Sequence, residues 1–313
     1  VIIITPAPFY KYILTSILLL GLNGFVFAQS ESAALPNQVQ LENTINQLCD
    51  SIQKAKTDEV RTAANDSLKS IFNSLLQNPE SFNLVYETID KVSIISSDDK
   101  KLRLYSWVLP ATDGSVYKYN GFAQFQKSKK HKMRFYEFTE KPILNNEEAE
   151  KEKTDNANWY GAVYYKIIDT GKKKKRYYTI LGWHGNNLKT TTKLIDVMQP
   201  RSRNISFGKS VFKSKEGTKQ RIIFEYNFRV SMLLRYQKNK KRIVFDNIAP
   251  ADSNQVGSYE NYGPDLSVNS YNYKKGKWYF EKDVDARNTF KNSGKVPEDM
   301  KSRDLHNPNK PQE

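Results

Sequence analysis

Cysteine and histidine are scarce in this sequence, and several common functional signatures are absent. A single cysteine, Cys49, excludes a disulfide framework, and one Cys with three His excludes a zinc module built from Cys and His ligands. The chain has no Gly-x-Ser-x-Gly turn, phosphate loop, His-Glu-x-x-His motif or complete EF-hand loop. These absences argue against the commonest hydrolases, nucleotide enzymes and metalloproteins. We predict no cofactor and no metal site.

The only long hydrophobic run lies at the N-terminus and has the pattern of a secretory signal peptide, residues 1–28. Lys11 is the sole charge, an apolar run covers residues 12–27, and Val26 and Ala28 suit a signal peptidase site. We therefore predict export to the periplasm or the exterior, with cleavage after Ala28. An uncleaved anchor is the alternative, although the uninterrupted run is short for a bilayer.

Aromatic and basic residues are abundant. The 313 residues include 19 Tyr and 16 Phe, which favours a β-rich fold. Lys and Arg together number 49 against 34 Asp and Glu. An exported basic protein could bind anionic lipid, acidic polysaccharide or nucleic acid. The alternative is that lysines at strand faces and turns keep a β-protein soluble and protect its edges.

Residues 41–90 have helical periodicity and follow a polar lead-in, residues 29–40, that we expect to be flexible. Apolar residues recur there at steps of three and four, as on one face of a helix. Thr57 and Asp58 suit a helix cap, and Asn78-Pro79 ends the second helix. The two stripes are Leu41, Ile45, Leu48, Cys49, Ile52 and Val60, Ala63, Ala64, Leu68, Ile71, Phe72, Leu75, Leu76. We predict a helical hairpin packed through these stripes.

After Lys91 the apolar period becomes two, which is typical of strands. Over 102–109 the even positions Leu102, Leu104, Ser106 and Val108 share one face, and Arg103, Tyr105 and Trp107 share the other. Residues 91–288 are therefore predicted to form a large, mainly antiparallel β-domain. A sandwich or a curled meander is favoured over a closed barrel, and the fold class is α+β.

The alternation is longest between Ile222 and Tyr236, where every even position is apolar or aromatic. A straight strand of that length would span roughly 50 Å at about 3.3 Å per residue, too long for a compact domain. We predict one bent strand or two strands around a bulge, bent near 227–229, with a continuous buried row.

The last hairpin of the β-domain is predicted around Lys275-Gly276, with Trp278 and Phe280 buried. The Lys-, Asn- and Pro-rich tail, residues 289–313, is predicted to be disordered. The four-lysine run 172–175 is interpreted as a charged hairpin turn, with a phosphate patch as the alternative.

Five segments together resemble a group of secreted Bacteroidetes proteins of uncharacterised activity. They are 99–107 (DKKLRLYSW), 159–165 (WYGAVYY), 181–187 (LGWHGNN), 262–265 (YGPD) and 278–288 (WYFEKDVDARN). The resemblance covers roughly residues 90–288. It implies a signal-bearing envelope or secreted protein and transfers no activity and no site residue.

The first candidate ligand site is the loop carrying Trp183, His184, Asn186 and Asn187. Its glycines permit tight turns, its amides suit sugar hydroxyls, and the indole could stack on a sugar. The alternative is a structural loop capped by Asn side chains, with His184 exposed in a turn.

The second candidate comprises Asp283, Asp285 and Arg287 at the end of the last strand, with Asp265 as a further oxygen donor. Alternating carboxylates share one face and could bind a cation or a hydroxyl-rich ligand. The alternative is a set of Asp–Arg pairs that fixes the end of the fold. We predict no catalytic residue in either cluster.

These features predict a non-catalytic binding or structural module of the cell envelope, whose partner is an envelope polysaccharide or another anionic envelope component. Nucleic acid is the less favoured partner because the charges are spread along the chain. The rival is a secreted enzyme acting on polysaccharide or another envelope polymer. Paired carboxylates about 5–10 Å apart in an aromatic cleft would favour a glycosidase. Basic side chains from several turns on one face would favour an anionic partner.

Overall fold

The computed structural model describes residues 37–128, 130–141, 145–171 and 176–285. The predicted signal peptide, the four-lysine run 172–175, Arg287 and the tail 289–313 lie outside the described residues. Within the described ranges, no helix is both long enough and apolar enough to cross a membrane.

The N-terminal helical hairpin is confirmed. Helix α1 (Gln38–Lys54) begins inside the expected lead-in, where the Asn37 side chain accepts a hydrogen bond from the amide of Val39. Helix α2 (Asp58–Gln77) is capped in the same way by Thr57. A 3₁₀ turn, Pro79–Asn83, follows. The predicted apolar stripes face the core, except that Val60 and Ala63 are exposed.

The described part of the chain after the hairpin contains sixteen strands, one further short α-helix, α3 (Asn146–Lys151), and two 3₁₀ turns, Ser253–Gln255 and Tyr259–Asn261. The strands are β1 Ser93–Ser96, β2 Leu102–Pro110, β3 Tyr117–Phe125, β4 Arg134–Phe138, β5 Thr154–Asp155, β6 Val163–Thr170, β7 Tyr177–His184, β8 Thr190–Pro200, β9 Ile205–Phe207, β10 Phe212–Ser214, β11 Gly217–Lys219, β12 Ile222–Asn227, β13 Leu234–Gln237, β14 Arg242–Pro250, β15 Tyr262–Lys274 and β16 Lys277–Glu281.

The strands form three sheets. The first has the order β1-β2-β3-β4, the second β5-β9-β8-β7-β6 with β12 also paired to β8, and the third β11-β10-β16-β15-β14-β13. Pairings between these strands are antiparallel apart from β10 with β16. The α+β class with a large antiparallel β-region is therefore confirmed.

Three apolar clusters separate four layers: the helices, then the first, second and third sheets. The alternation of side chains along β2 shows how one strand contributes to two of these clusters. Leu102 and Leu104 face the cluster between the first and second sheets, whereas Tyr105 and Trp107 face the helices. Strand β7 alternates likewise between the two sides of the second sheet. Both sheets are thus buried on two faces, which explains why so many aromatic residues occur in their strands.

The segment 222–236 forms two strands that belong to different sheets. Strand β12 pairs with β8 in the second sheet, and β13 pairs with β14 in the third. The predicted break near 227–229 is present, but the continuous buried row is wrong. Phe228 and Val230 are 49% and 39% exposed, because the chain turns outward there to cross between the sheets.

The C-terminal hairpin β15–β16 forms the central pair of strands of the third sheet. Trp278 is fully buried and donates from Nε1 to Oγ1 of Thr179 at 3.0 Å. The predicted burial of Phe280 is wrong, since its side chain is 38% exposed. Lys275 and Gly276 both have positive φ, 48° and 83°, as the two-residue turn between paired Lys274 and Lys277 requires.

Candidate functional site

A cleft of about 1130 Å³ collects one of the two predicted site clusters together with carboxylates and tyrosines from distant parts of the chain. We call it the tyrosine cleft. The residues used to define it are Tyr117, Tyr119, Glu140, Asn146, Tyr160, His184, Asn186, Asn187, Glu225 and Tyr259. They come from the first sheet, the second sheet, α3 and the connection between β14 and β15.

His184 enters the cleft because it ends β7 one residue after Trp183, and neighbouring strand side chains point to opposite faces. Its ring stacks on Tyr119, with the centroids 4.4 Å apart, and meets the edge of Tyr160 at 5.6 Å. The predicted loop histidine is therefore held in an aromatic wall. Its side chain is 15% exposed, so it is not a freely exposed turn residue.

The backbone of the next turn selects the tautomer of His184. Asn186 adopts a left-handed φ of 56°, and its amide donates to Nδ1 of His184 at 2.9 Å. A neutral ring that accepts at Nδ1 carries its proton on Nε2. Nε2 lies 3.9 Å from Oε1 of Glu140. The cleft thus holds a histidine N–H next to a carboxylate oxygen.

Glu140 lines the cleft and is held by one of its two carboxylate oxygens. Oε2 accepts the amide of Tyr119 at 2.9 Å, and among the described residues Oε1 has no hydrogen-bond donor. The side chain lies against Gly161, which has φ +81° and whose missing Cβ would sit 2.6 Å from Oε1. Glycine is needed at 161 for both its backbone conformation and this close approach.

Glu225 has a different role, because the fold uses both of its oxygens. Oε1 accepts from Asn186 Nδ2 at 2.9 Å and from the Thr190 hydroxyl at 2.7 Å. Oε2 accepts from Asn146 Nδ2 at 2.6 Å, and the oxygen of the same Asn146 amide accepts from Tyr160 at 2.8 Å. This carboxylate ties the loop after β7 to α3 and is unavailable as a base or nucleophile.

Helix α3 is too short to be stable alone and is fixed by hydrogen bonds between charged side chains and backbone groups. Glu150 accepts the amide of Ile223 at 2.9 Å, and Arg221 donates to the carbonyl of Ala149 at 2.6 Å. Arg221 is itself paired with Asp196. These contacts place Asn145, Asn146 and Glu147 on the wall of the cleft.

The remaining members of the first predicted cluster support the cleft in two ways. Trp183 is outside the lining and packs edge-on against Tyr117, with the centroids 6.1 Å apart. Asn187 lines the cleft, and its side-chain oxygen accepts the amides of Lys189 and Thr190 at 2.8 and 2.9 Å. The loop therefore is a structural loop capped by Asn side chains, as the alternative prediction had it, and it also faces the cleft.

The described members of the second predicted cluster, Asp265, Asp283 and Asp285, lie elsewhere, and the structure does not bring them to the tyrosine cleft. Asp265 accepts from Asn247 at 2.7 Å and from the Ser267 hydroxyl at 2.7 Å, and these hydrogen bonds lower its pKa. Asp283 donates its backbone amide to Asn269, and the Asp285 carbonyl accepts from Arg242. In the described ranges no group of three His, Cys, Asp or Glu side chains is arranged to hold a metal ion.

Sequence reasoning missed Glu140, Asn146 and Glu225, which hold the cleft together. Glu140 and Asn146 fall in or beside a polar stretch that has no period, and Glu225 is an ordinary polar position of an alternating strand. The clue in the sequence was Trp159-Tyr160-Gly161, where an aromatic pair precedes a glycine. Comparisons of the chain with protein-family models, with curated proteins and with solved structures found no match.

Proposed function

We propose that this protein is an exported, non-catalytic binding module of the cell envelope that holds a segment of an envelope polysaccharide in the tyrosine cleft. The observation that carries this proposal is the lining of the cleft. Among the described residues, four tyrosines and six asparagines line it, and Oε1 of Glu140 accepts no hydrogen bond from them. Amides and carboxylates bind sugar hydroxyls, and the partly exposed rings of Tyr117 and Tyr259 offer apolar faces with a polar edge, whereas Tyr119 and Tyr160 are buried in the cleft wall.

Export is the second half of the proposal. The charge pattern of residues 1–28 supports it, as does the resemblance to secreted Bacteroidetes proteins. Cell fractionation followed by N-terminal sequencing tests it, with Gln29 expected as the first residue of the envelope form. Retention of residues 1–28 in exported protein, or recovery of the protein only from the cytoplasm, would refute this half.

The hydrogen bonds that occupy both carboxylate oxygens of Glu225 favour binding over hydrolysis. A glycosidase uses two carboxyl groups, one as an acid and the other as a base or nucleophile. Both Glu225 oxygens already accept hydrogen bonds from the protein, so the cleft does not offer Glu140 and Glu225 as such a pair. What favours the rival hydrolase is the Glu140 oxygen 3.9 Å from Nε2 of His184.

Calorimetric titration with neutral hexasaccharides of β-linked glucose, mannose and N-acetylglucosamine tests the binding function. We expect at least one to bind, and Tyr259→Ala to weaken that binding about tenfold. Tyr279→Ala is the matched control, because Tyr279 is a part-exposed tyrosine on β16 outside the cleft. Equal affinity in both variants, or no binding by any hexasaccharide, would overturn the proposal.

The same sugars separate binding from catalysis. Chromatography after prolonged incubation is expected to recover the intact hexasaccharide. Shorter products that disappear in Glu140→Gln would establish the hydrolase instead, because the amide can neither donate nor accept the proton of an acid–base step.

A further inference from the structure

A second concave surface, of about 1280 Å³, lies on another part of the molecule and shares no lining residue with the tyrosine cleft. Its walls come from β6, the segment between β9 and β10, the β13–β14 turn and the β15–β16 turn. We call it the lysine groove and define it by Lys153, Lys166, Lys209, Lys241, Lys275 and Lys277.

The charge of the groove is strongly one-sided. Among the described residues, eight basic side chains line it, against the two carboxylates of Asp98 and Asp169. Asp98 is paired with Lys238 at 2.7 Å, and Asp169 accepts the backbone amide of Asp99. None of the six defining lysines forms an ion pair with a carboxylate in the described part of the chain. Within the described residues, no carboxylate at ion-pair distance neutralises these six charges.

Two of the six lysines, Lys209 and Lys277, also lie close to other cations. Lys209 is half-buried, with its ammonium 5.9 Å from the centroid of the Tyr177 ring. Burial lowers its pKa, and the charges of Arg201 and Lys153 lower it further. The pKa of Lys277 is lowered mainly by the neighbouring charge of Lys213. Like charges held together repel one another, and a bound anion would relieve that repulsion.

The walls of the groove are fixed to one another by hydrogen bonds. The Tyr177 hydroxyl donates to the carbonyl of Gly276 at 3.0 Å, and the Gly171 amide donates to the Tyr273 hydroxyl at 2.6 Å. These bonds hold the tip of the β15–β16 hairpin against the end of β6. Lysines from segments far apart in sequence are thereby brought to one surface. Lysines whose only role is to keep separate turns soluble would not be expected to lie together.

The groove favours a single polymer chain that carries repeated anionic groups. Its concave form does not match the flat surface of a membrane. Single-stranded nucleic acid stacks its bases on exposed aromatic rings. Of the three tyrosines that line the groove, Tyr177 is only 2% exposed, and the partly buried rings of Tyr236 and Tyr273 pack against Trp278. Seven of the eight basic residues are lysine, a point charge suited to carboxylate or phosphate without fixed orientation.

We propose that the lysine groove binds an acidic polysaccharide, a chain of sugar or polyol units bearing carboxylate or phosphate groups. This site is independent of the tyrosine cleft and extends the proposed function to a second ligand. Binding by many lysines displaces counterions, so affinity should decrease steeply with salt concentration.

The test is titration of the full chain with a polygalacturonate decamer and with poly(glycerol phosphate), which distinguish carboxylate from phosphate as the preferred group. The groove variant is Lys153→Gln/Lys166→Gln/Lys241→Gln, which replaces three exposed lysines and leaves the fold's ion pairs intact. The control is Lys56→Gln/Lys127→Gln/Lys215→Gln, which removes three exposed lysines away from the groove and so the same net charge.

We expect one of the two acidic polymers to bind, with at least a tenfold loss in the groove variant and less than a twofold change in the control. Neutral dextran should not bind, and Tyr259→Ala should leave the affinity unchanged. Equal losses in both lysine variants would refute a localised site. Tighter binding of a thymidine oligonucleotide, or of vesicles containing phosphatidylglycerol, would replace the proposed ligand by nucleic acid or membrane. Failure of both acidic polymers to bind would overturn the inference while leaving the cleft proposal standing.

Discussion

Arg221 donates from Nε to Oδ2 of Asp196 at 3.0 Å, and neither side chain is more than 1% exposed. The other Asp196 oxygen accepts the amides of Val197 and Gly208 at 2.6 and 3.1 Å. Because Arg221 also donates to the carbonyl of Ala149, this buried pair connects the second sheet to α3 and hence to the cleft wall.

Removing one member of this pair should be costly. We expect Arg221→Met to lower the free energy of unfolding by about 3–5 kcal/mol, because it leaves the Asp196 carboxylate buried without its partner. Lys54→Met is the control, since Lys54 pairs with Asp50 at the surface, where ion pairs contribute about 0–1 kcal/mol. Urea denaturation measures both values, and similar costs would show that Asp196 does not depend on Arg221.

Glu42 should make stability depend on pH in the acid range. Burial raises its pKa, but hydrogen bonds from Thr88, Gln38 and the Glu87 amide outweigh burial and lower the pKa overall. The ionised form therefore stabilises the fold fully above the ordinary Glu pKa of about 4.3. That contribution is lost as the pH falls through the lowered value.

We expect Glu42→Gln to cost about 1–3 kcal/mol at pH 7 and to reduce the acid-induced loss of stability. Glu59→Gln, at an exposed position in the first turn of α2, is the matched control and should change little. Thermal melts from pH 3 to pH 7 measure the effect. An unchanged pH profile in Glu42→Gln would contradict the assigned role.

Gly161→Ala should disturb the tyrosine cleft through Glu140. Alanine at φ +81° is strained by about 1–3 kcal/mol, and its Cβ would also displace the carboxylate. Gly276→Ala is a control with nearly the same φ, +83°, and open space around the new Cβ. Both should lower the melting temperature, but only Gly161→Ala should weaken sugar binding to the cleft. Equal sugar affinities would show that Glu140 does not contact the ligand.

The outward turn between β12 and β13 gives a direct test of burial. Met232→Ala should lower the free energy of unfolding by about 2–5 kcal/mol. Met232 is 1% exposed, and its truncation leaves a cavity in the apolar cluster between the second and third sheets. Val230→Ala should cost far less, since that side chain is 39% exposed. Denaturant titration distinguishes them, and equal costs would mean that the buried row continues through the turn.

Two C-terminal deletions should differ in their effect on stability, because only the longer one removes part of the fold. Deletion of residues 289–313 should leave the melting temperature nearly unchanged, because its few apolar residues are too scattered to offset about 1–2 kcal/mol of backbone entropy per ordered residue. Deletion from Lys277 onward should abolish cooperative unfolding, since it removes β16 and the buried Trp278. A marked loss of stability in the shorter deletion would show that the tail packs on the domain.

Local periodicity was sufficient to predict the helical hairpin, the α+β class and the two faces of β2. Helix stripes and strand alternation are properties of neighbouring residues, so they can be read without knowledge of distant contacts. The same reasoning failed at Phe228 and Val230, because the alternation continues in the sequence while the chain leaves one sheet for another. The alternation of apolar and polar residues indicates which side chains suit burial. It does not indicate where the chain leaves one sheet and pairs with a strand of another.

The candidate site shows the same division. The loop of His184, Asn186 and Asn187 was recognisable from its residue types, and the structure places it in a cleft. Glu140 and the convergence of the lysines were not recognisable, because each depends on residues brought together from separate segments. The sequence by itself determined the local elements and the supply of tyrosine, asparagine and lysine side chains. Only the stacking of the three sheets decided which of these side chains face the same cavity. The distance between two side chains from separate segments depends on non-local packing and not on their spacing along the chain.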